Sequence, residues 1–141
     1  MAANVHFISG LPRSGSTLLA SLLRQNPRFH ASVTSPVGLL VAALTQKMSG
    51  GTEFSVFFDD RRRGAILRSL FAGYYDDIPA ADVIFDTNRT WTSRASLLAA
   101  LYPGCRIICC VRDVGWVIDK LRHLVTIYDA PGHRAWAACE S

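Results

Sequence analysis

The chain has 141 residues, of which 50% are hydrophobic and 18% charged, with a formal net charge of +4. That length and apolar content suit one folded domain, residues 1–141, and exclude an intrinsically disordered chain. The charge is modest and scattered, so it does not indicate a nucleic-acid binder, and no apolar run reaches the roughly 18 residues of a membrane span.

The elements follow in chain order. Residues 4–9 read as a parallel strand, mostly apolar without clean alternation. The stretch Gly10-Leu11-Pro12-Arg13-Ser14-Gly15 is a tight loop. Residues 15–25 predict a helix with Leu18, Leu19, Leu22 and Leu23 on its buried face, ended by Asn26-Pro27. Phe29 to Val33 suggests a short strand, and Pro36 is placed to start a buried helix running to Met48. A Ser49-Gly50-Gly51-Thr52 loop follows. The next predicted helix spans 63–75, with Ile66, Leu67, Leu70, Phe71 and Tyr74 inward, and Asp76-Asp77-Ile78-Pro79 breaks it. Arg61-Arg62-Arg63, the one basic run, reads as a solvated face opening that helix.

Val83-Ile84-Phe85-Asp86 is a buried strand expected to end in a carboxylate. Thr92 or Ser93 is placed to cap a helix to Tyr102, which Pro103-Gly104 terminates. Residues 105–111 form a further strand, Arg112-Asp113 a turn, and 114–128 a last helix; the residues beyond carry no assignment. Strands alternating with helices imply an α/β fold, a three-layer parallel sheet with helices on both faces, like that of P-loop nucleotide enzymes. Ligands of such sheets bind beyond the carboxyl ends of the strands. Arg13, Asp86 and Arg112 are all expected there, in one cleft.

The loop is the chemically informative segment. A strand, a Gly-rich turn and a helix N-terminus direct free backbone N–H groups and the helix dipole at an anion. Gly10 and Gly15 have the spacing of a phosphate-binding loop, but Ser16 stands where its lysine belongs, and the cation sits inside the loop as Arg13. The chain carries thirteen Arg and two Lys; guanidinium forks suit phosphate and sulfate, although a compositional bias of the source genome explains the count equally well. The four cysteines (Cys105, Cys109, Cys110, Cys139) have no metal or redox spacing, and no metal is expected. The N-terminus lacks a signal-like segment, so cytoplasmic residence is the default expectation.

Leu11-Pro12-Arg13-Ser14-Gly15-Ser16-Thr17-Leu18 resembles the 5′-phosphosulfate loop of sulfotransferases that use 3′-phosphoadenosine 5′-phosphosulfate as sulfuryl donor. Cys105 to Val114, with Arg112 at its turn, resembles the family's second motif, where an arginine binds the 3′-phosphate. The likeness covers residues 5–128. It implies that Arg13 contacts the phosphosulfate and stabilises the leaving phosphate, and that Ser14, Gly15, Ser16 and Thr17 hold the 5′ end. Arg112 would clamp the 3′-phosphate, or else form a surface ion pair with the adjacent helix. A serine usually follows that arginine by eight positions; here the position is Lys120. The acceptor implied is a small molecule or glycan.

The chain departs from the family in other places. The Lys-Thr-His run of cytosolic members corresponds to Asp86-Thr87-Asn88, which leaves Asp86 as a candidate base or a cap for the next turn. The stretch where membrane-bound relatives carry a glutamate is Ser32-Val33-Thr34-Ser35; His30 and Glu53 are weaker substitutes. Members of the family are longer. The chain is therefore read as truncated at its C-terminus, as a fragment, or as a minimal form whose cleft a homo-oligomer completes. Two other functions stay open: a P-loop small-molecule kinase, with Asp86 holding magnesium, and a non-catalytic nucleotide-binding protein. Trp91, Trp116, Tyr74 and Tyr75 suit either an apolar acceptor pocket or the core.

Overall fold

The structure is a computed structural model, and it describes residues 4–51 and 53–128. Four strands, β1 (Asn4–Gly10), β2 (Phe29–Ala31), β3 (Val83–Thr87) and β4 (Ile107–Cys110), form one parallel sheet in the order β2-β3-β1-β4. Five α-helices accompany them: α1 (Ser16–Leu23), α2 (Val37–Met48), α3 (Asp60–Tyr74), α4 (Ala95–Leu101) and α5 (Val114–Tyr128). Two short 3₁₀ turns, Glu53–Phe57 and Thr92–Arg94, precede α3 and α4. The expected α/β architecture is present. Cys139 and the residues after Tyr128 lie outside the described residues, as does Thr52.

Helices cover both sheet faces because the strands carry apolar side chains on both. Val5, Phe7 and Ile84 point into a cluster with Val37 and Val41 of α2, Leu67 and Phe71 of α3, Trp91, and Leu98 and Leu101 of α4. Ile8 and Phe85 point the other way, onto Ala20 of α1, with Leu19 and Leu23 packed beside it. The first cluster is aromatic at its centre: Phe7 meets Trp91 at 5.2 Å and Phe71 at 5.8 Å between ring centroids, both edge-on.

Several expectations are corrected at this level. Helix α1 docks through Leu19, Ala20 and Leu23, while Leu18 and Leu22 face outward. The four leucines span too wide an arc for an eight-residue helix to bury, and small Ala20 permits the closest approach to the sheet. Helix α3 starts three residues earlier than expected, because Asp59 caps it by accepting a 2.7 Å hydrogen bond from the Arg62 N–H. The basic run is thus part of the helix start: Arg62 donates to the Phe57 carbonyl, and Arg63 to the Met48 carbonyl and Asp60. Tyr74 is exposed; Tyr75 is the tyrosine that turns inward. Neither Thr92 nor Ser93 caps α4, which has no side-chain cap. Thr92 instead bonds Ser9 of β1, and Ser93 bonds the Thr90 carbonyl.

Asp86 is the largest correction. It does not follow the strand end but lies within β3, opposite Phe7, and is fully buried on the α3–α4 face. Tyr75 Oη donates to its Oδ2 at 2.7 Å and Trp91 Nε1 to its Oδ1 at 2.7 Å. Burial pushes its carboxyl above the usual carboxylate range, and hydrogen bonds from Tyr75, Ser35 and Trp91 pull partly against that. Folded Asp86 therefore retains its proton to higher pH than the unfolded chain does. Its contribution to stability is largest below the ordinary value of 3.8 and declines as pH rises through the raised folded value.

Urea denaturation from about pH 4 to about pH 8 checks this. Asp86→Asn flattens the decline, because an amide carries no charge to desolvate. Asp86→Ala lowers stability by about 2–5 kcal/mol at the low end of this range, because two buried donors lose their acceptor, and by less as pH rises.

Candidate active site

The site starts at the end of β1. Gly10 pairs with Cys110 of β4. A Cβ at position 10 would lie 2.7 Å from the Cys110 carbonyl oxygen and 2.5 Å from Ser14 Oγ. Only glycine lets the two strands and the returning turn meet here. The turn closes with the Ser14 N–H donating to the Leu11 carbonyl at 3.0 Å. Two residues bend it through positive φ: Arg13 at 67° and Gly15 at 105°. Gly15 is suited to that conformation; Arg13 adopts it at a cost of about 1–3 kcal/mol.

Helix α1 begins immediately. The Leu19 N–H donates to the Gly15 carbonyl at 3.0 Å, and no side chain caps the helix. The N–H groups of its first turn therefore have no intrahelical acceptor and point at the loop. Ser14 is buried, and its Oγ has no hydrogen-bond partner. A buried hydroxyl without a partner costs about 1–3 kcal/mol, which an anion seated on the helix N-terminus would recover. Ser16 is half-buried; Arg13 and Thr17 are exposed.

A cavity of about 140 Å³ opens beside the loop. Gly10, Pro12 and Ser16 form one wall, and Thr34, Thr87 and Arg89 another. Arg13 does not line it. Thr87 is buried, with its Oγ1 unpartnered. The stretch that lacks the glutamate of membrane-bound sulfotransferases thus does border the cavity, through Val33 and Thr34. Sequence reasoning missed Arg89. The signal was available, since Arg89 follows Thr87-Asn88 at a strand end, but three residues of turn give no direction for a side chain.

On the other side of β1, Arg112 leaves β4 in a turn adjacent to the loop. Asp113 caps α5, accepting a 2.8 Å hydrogen bond from the Trp116 N–H. The Arg112 guanidinium stacks 3.5 Å from the Trp116 ring centroid, and Lys120 Nζ lies 5.7 Å from the same ring. Arg112 is thus held by an aromatic face and forms no ion pair among the described residues. Lys120 also meets Asp119 at 3.5 Å, an exposed pair of little energetic weight. One indole therefore gathers both residues that the sequence offered for the second phosphate.

Asp86 is not part of this arrangement. Its carboxyl is enclosed by Tyr75 and Trp91, so the strand-plus-aspartate element has no open oxygen for magnesium, and the kinase reading loses its support. His30 is committed to Asp82 at 2.8 Å, and Glu53 is an exposed residue of the 3₁₀ turn before α3. Among the described residues no cluster of three or more His, Cys, Asp or Glu side chains is placed to hold a metal. None of their helices is long and apolar enough to cross a membrane.

Compared with known proteins, the chain matches the family model described as "Sulfotransferase family" over residues 6–136. Curated proteins gave no match.

Replacing Gly10 tests the geometry directly. Gly10→Ala forces a shift against the Cys110 backbone and lowers stability by about 1–3 kcal/mol. Gly15→Ala meets no atom within 4 Å, and its penalty of about 1–2 kcal/mol comes from the positive φ alone. Chemical denaturation of both variants measures the two costs.

Proposed function

The chain belongs to the sulfotransferase family and is a transferase, and from that membership we propose that it moves a sulfuryl group from 3′-phosphoadenosine 5′-phosphosulfate to a hydroxyl or amine of a small-molecule or glycan acceptor. The observation that carries this reading is the uncapped start of α1 above the buried, unpartnered Ser14 hydroxyl. Such a cradle fits a tetrahedral oxyanion at the 5′ end of a nucleotide.

The donor supplies an activated sulfuryl group on a phosphosulfate anhydride. The chain's own residues bind and orient it. Backbone N–H groups from Gly15 to Thr17 and the hydroxyls of Ser14, Ser16 and Thr17 hold the 5′ end. Arg13 neutralises charge gathering on the phosphate as the sulfuryl group departs. Arg112, stacked on Trp116, and Lys120 take the 3′-phosphate. Charge-assisted hydrogen bonds contribute about 1.5–3 kcal/mol each. Three or four of them support micromolar affinity, about 8 kcal/mol, after the cost of association. Asp86 serves the core in this reading, not the reaction.

Two variants test the assignments by calorimetry with 3′-phosphoadenosine 5′-phosphate. Arg13→Ala weakens binding by about tenfold or more while the melting profile is unchanged; an unaltered affinity removes the loop from nucleotide binding. Lys120→Ala weakens binding of the 3′-phosphorylated nucleotide more than that of adenosine 5′-phosphate. Equal losses mean that Lys120 does not meet that phosphate.

A further inference from the structure

We infer that Arg89 is the cation that meets the transferring sulfuryl group, and that Thr87 Oγ1 is a hydrogen-bonding partner in the same subsite. This rests on the donor assignment under Proposed function. The sheet order β2-β3-β1-β4 puts the loop between two different neighbours. Arg112 and Lys120 lie on the β4 side. The cavity lies on the β3–β2 side, between Ser16 and Arg89. A donor with its 3′-phosphate at Arg112 and its 5′-phosphate on the α1 N-terminus runs from β4 toward β3. The group beyond its 5′-phosphate then enters this cavity. At about 140 Å³, the cavity has the room of a few water molecules, which admits a sulfuryl group but not a nucleoside.

The walls of the cavity are prepared for that group. Thr87 is only 5% exposed and its Oγ1 has no partner. The backbone of the turn that carries Arg89 is fastened on both sides. Ser9 Oγ donates to the Arg89 carbonyl at 3.0 Å and bonds Thr92 Oγ1 at 2.7 Å. The Asn88 N–H donates to the Ile8 carbonyl at 3.0 Å, and Asn88 Nδ2 donates to the Ser35 carbonyl at 2.9 Å. Asn88 Oδ1 accepts from the Thr90 N–H and from its hydroxyl. Gly38 leaves the space that the Asn88 carboxamide fills. The turn is therefore rigid, whereas the Arg89 guanidinium has no ion-pair or hydrogen-bond partner among the described residues. A fixed backbone with a spare cation is the arrangement a preorganised oxyanion subsite needs.

The test compares the donor, 3′-phosphoadenosine 5′-phosphosulfate, with its desulfated product by calorimetry on wild type, Arg89→Ala and Arg89→Lys. Arg89→Ala is expected to lose about tenfold or more in donor affinity and less than roughly twofold in product affinity, with Arg89→Lys recovering part of the loss. Equal losses for both nucleotides, or no loss for either, overturn the role of Arg89 and leave the donor assignment standing. Failure of the wild type to bind either nucleotide overturns the donor assignment, and this inference with it. Circular dichroism of both variants confirms that the fold is kept, as expected for an exposed side chain whose backbone is held by its neighbours.

Discussion

Strand β1 runs between β3 and β4 and ends where Gly10 touches the Cys110 backbone. That contact sets the geometry of the whole site. Without a side chain at position 10, the chain turns back at once, Ser14 tucks beneath it, and α1 starts over the strand end. The same pairing brings the Arg112 turn alongside, because neighbouring parallel strands lie about 5 Å apart. On the other flank, Ile8 pairs with Thr87, and the Thr87–Arg89 turn emerges next to the loop. Three turns from three strands thus meet at one end of the sheet, as expected where ligands bind parallel α/β sheets.

Polar groups in this protein fall into two kinds. Those that hold the fold are satisfied: Asp86 accepts from Tyr75 and Trp91, Ser9 ties β1 to the segment after β3, and Asn88 links β1 with the approach to α2. Others are left open. Of the three buried side-chain polar atoms without a partner among the described residues, Ser14 Oγ and Thr87 Oγ1 belong to the loop and the cavity; the third is Arg94 Nη1. Positive φ at Arg13 and an uncapped α1 add to the cost at the same place. Stability is given up where a bound anion would restore it, and is secured elsewhere by dense aromatic packing.

The turn after β4 is organised differently. Arg112 rests on the face of Trp116, and Lys120 approaches the same ring from one turn further along α5. The indole restricts a flexible guanidinium without neutralising it, so the charge stays available to a phosphate. An ion pair at that position would have spent the charge inside the protein.

The sequence was sufficient for the parallel α/β architecture and for the turn after β1. Buried strands read as apolar runs, and the glycine spacing of residues 10–15 describes a tight turn into a helix by local chemistry alone. It also put forward Arg112 and Lys120 as a pair, though not the indole that both approach. Asp86 shows where local reading stopped. An aspartate near a strand end looks the same whether its carboxyl faces the cleft or the core, and one residue of register separates the two, since successive side chains point to opposite faces. The choice of Leu19 and Leu23 over Leu18 and Leu22, the stacking of Arg112, and the place of Arg89 in the cavity lining likewise depend on which neighbour each element meets. Only the tertiary structure decided these, because strand order and register are long-range contacts that no local pattern encodes.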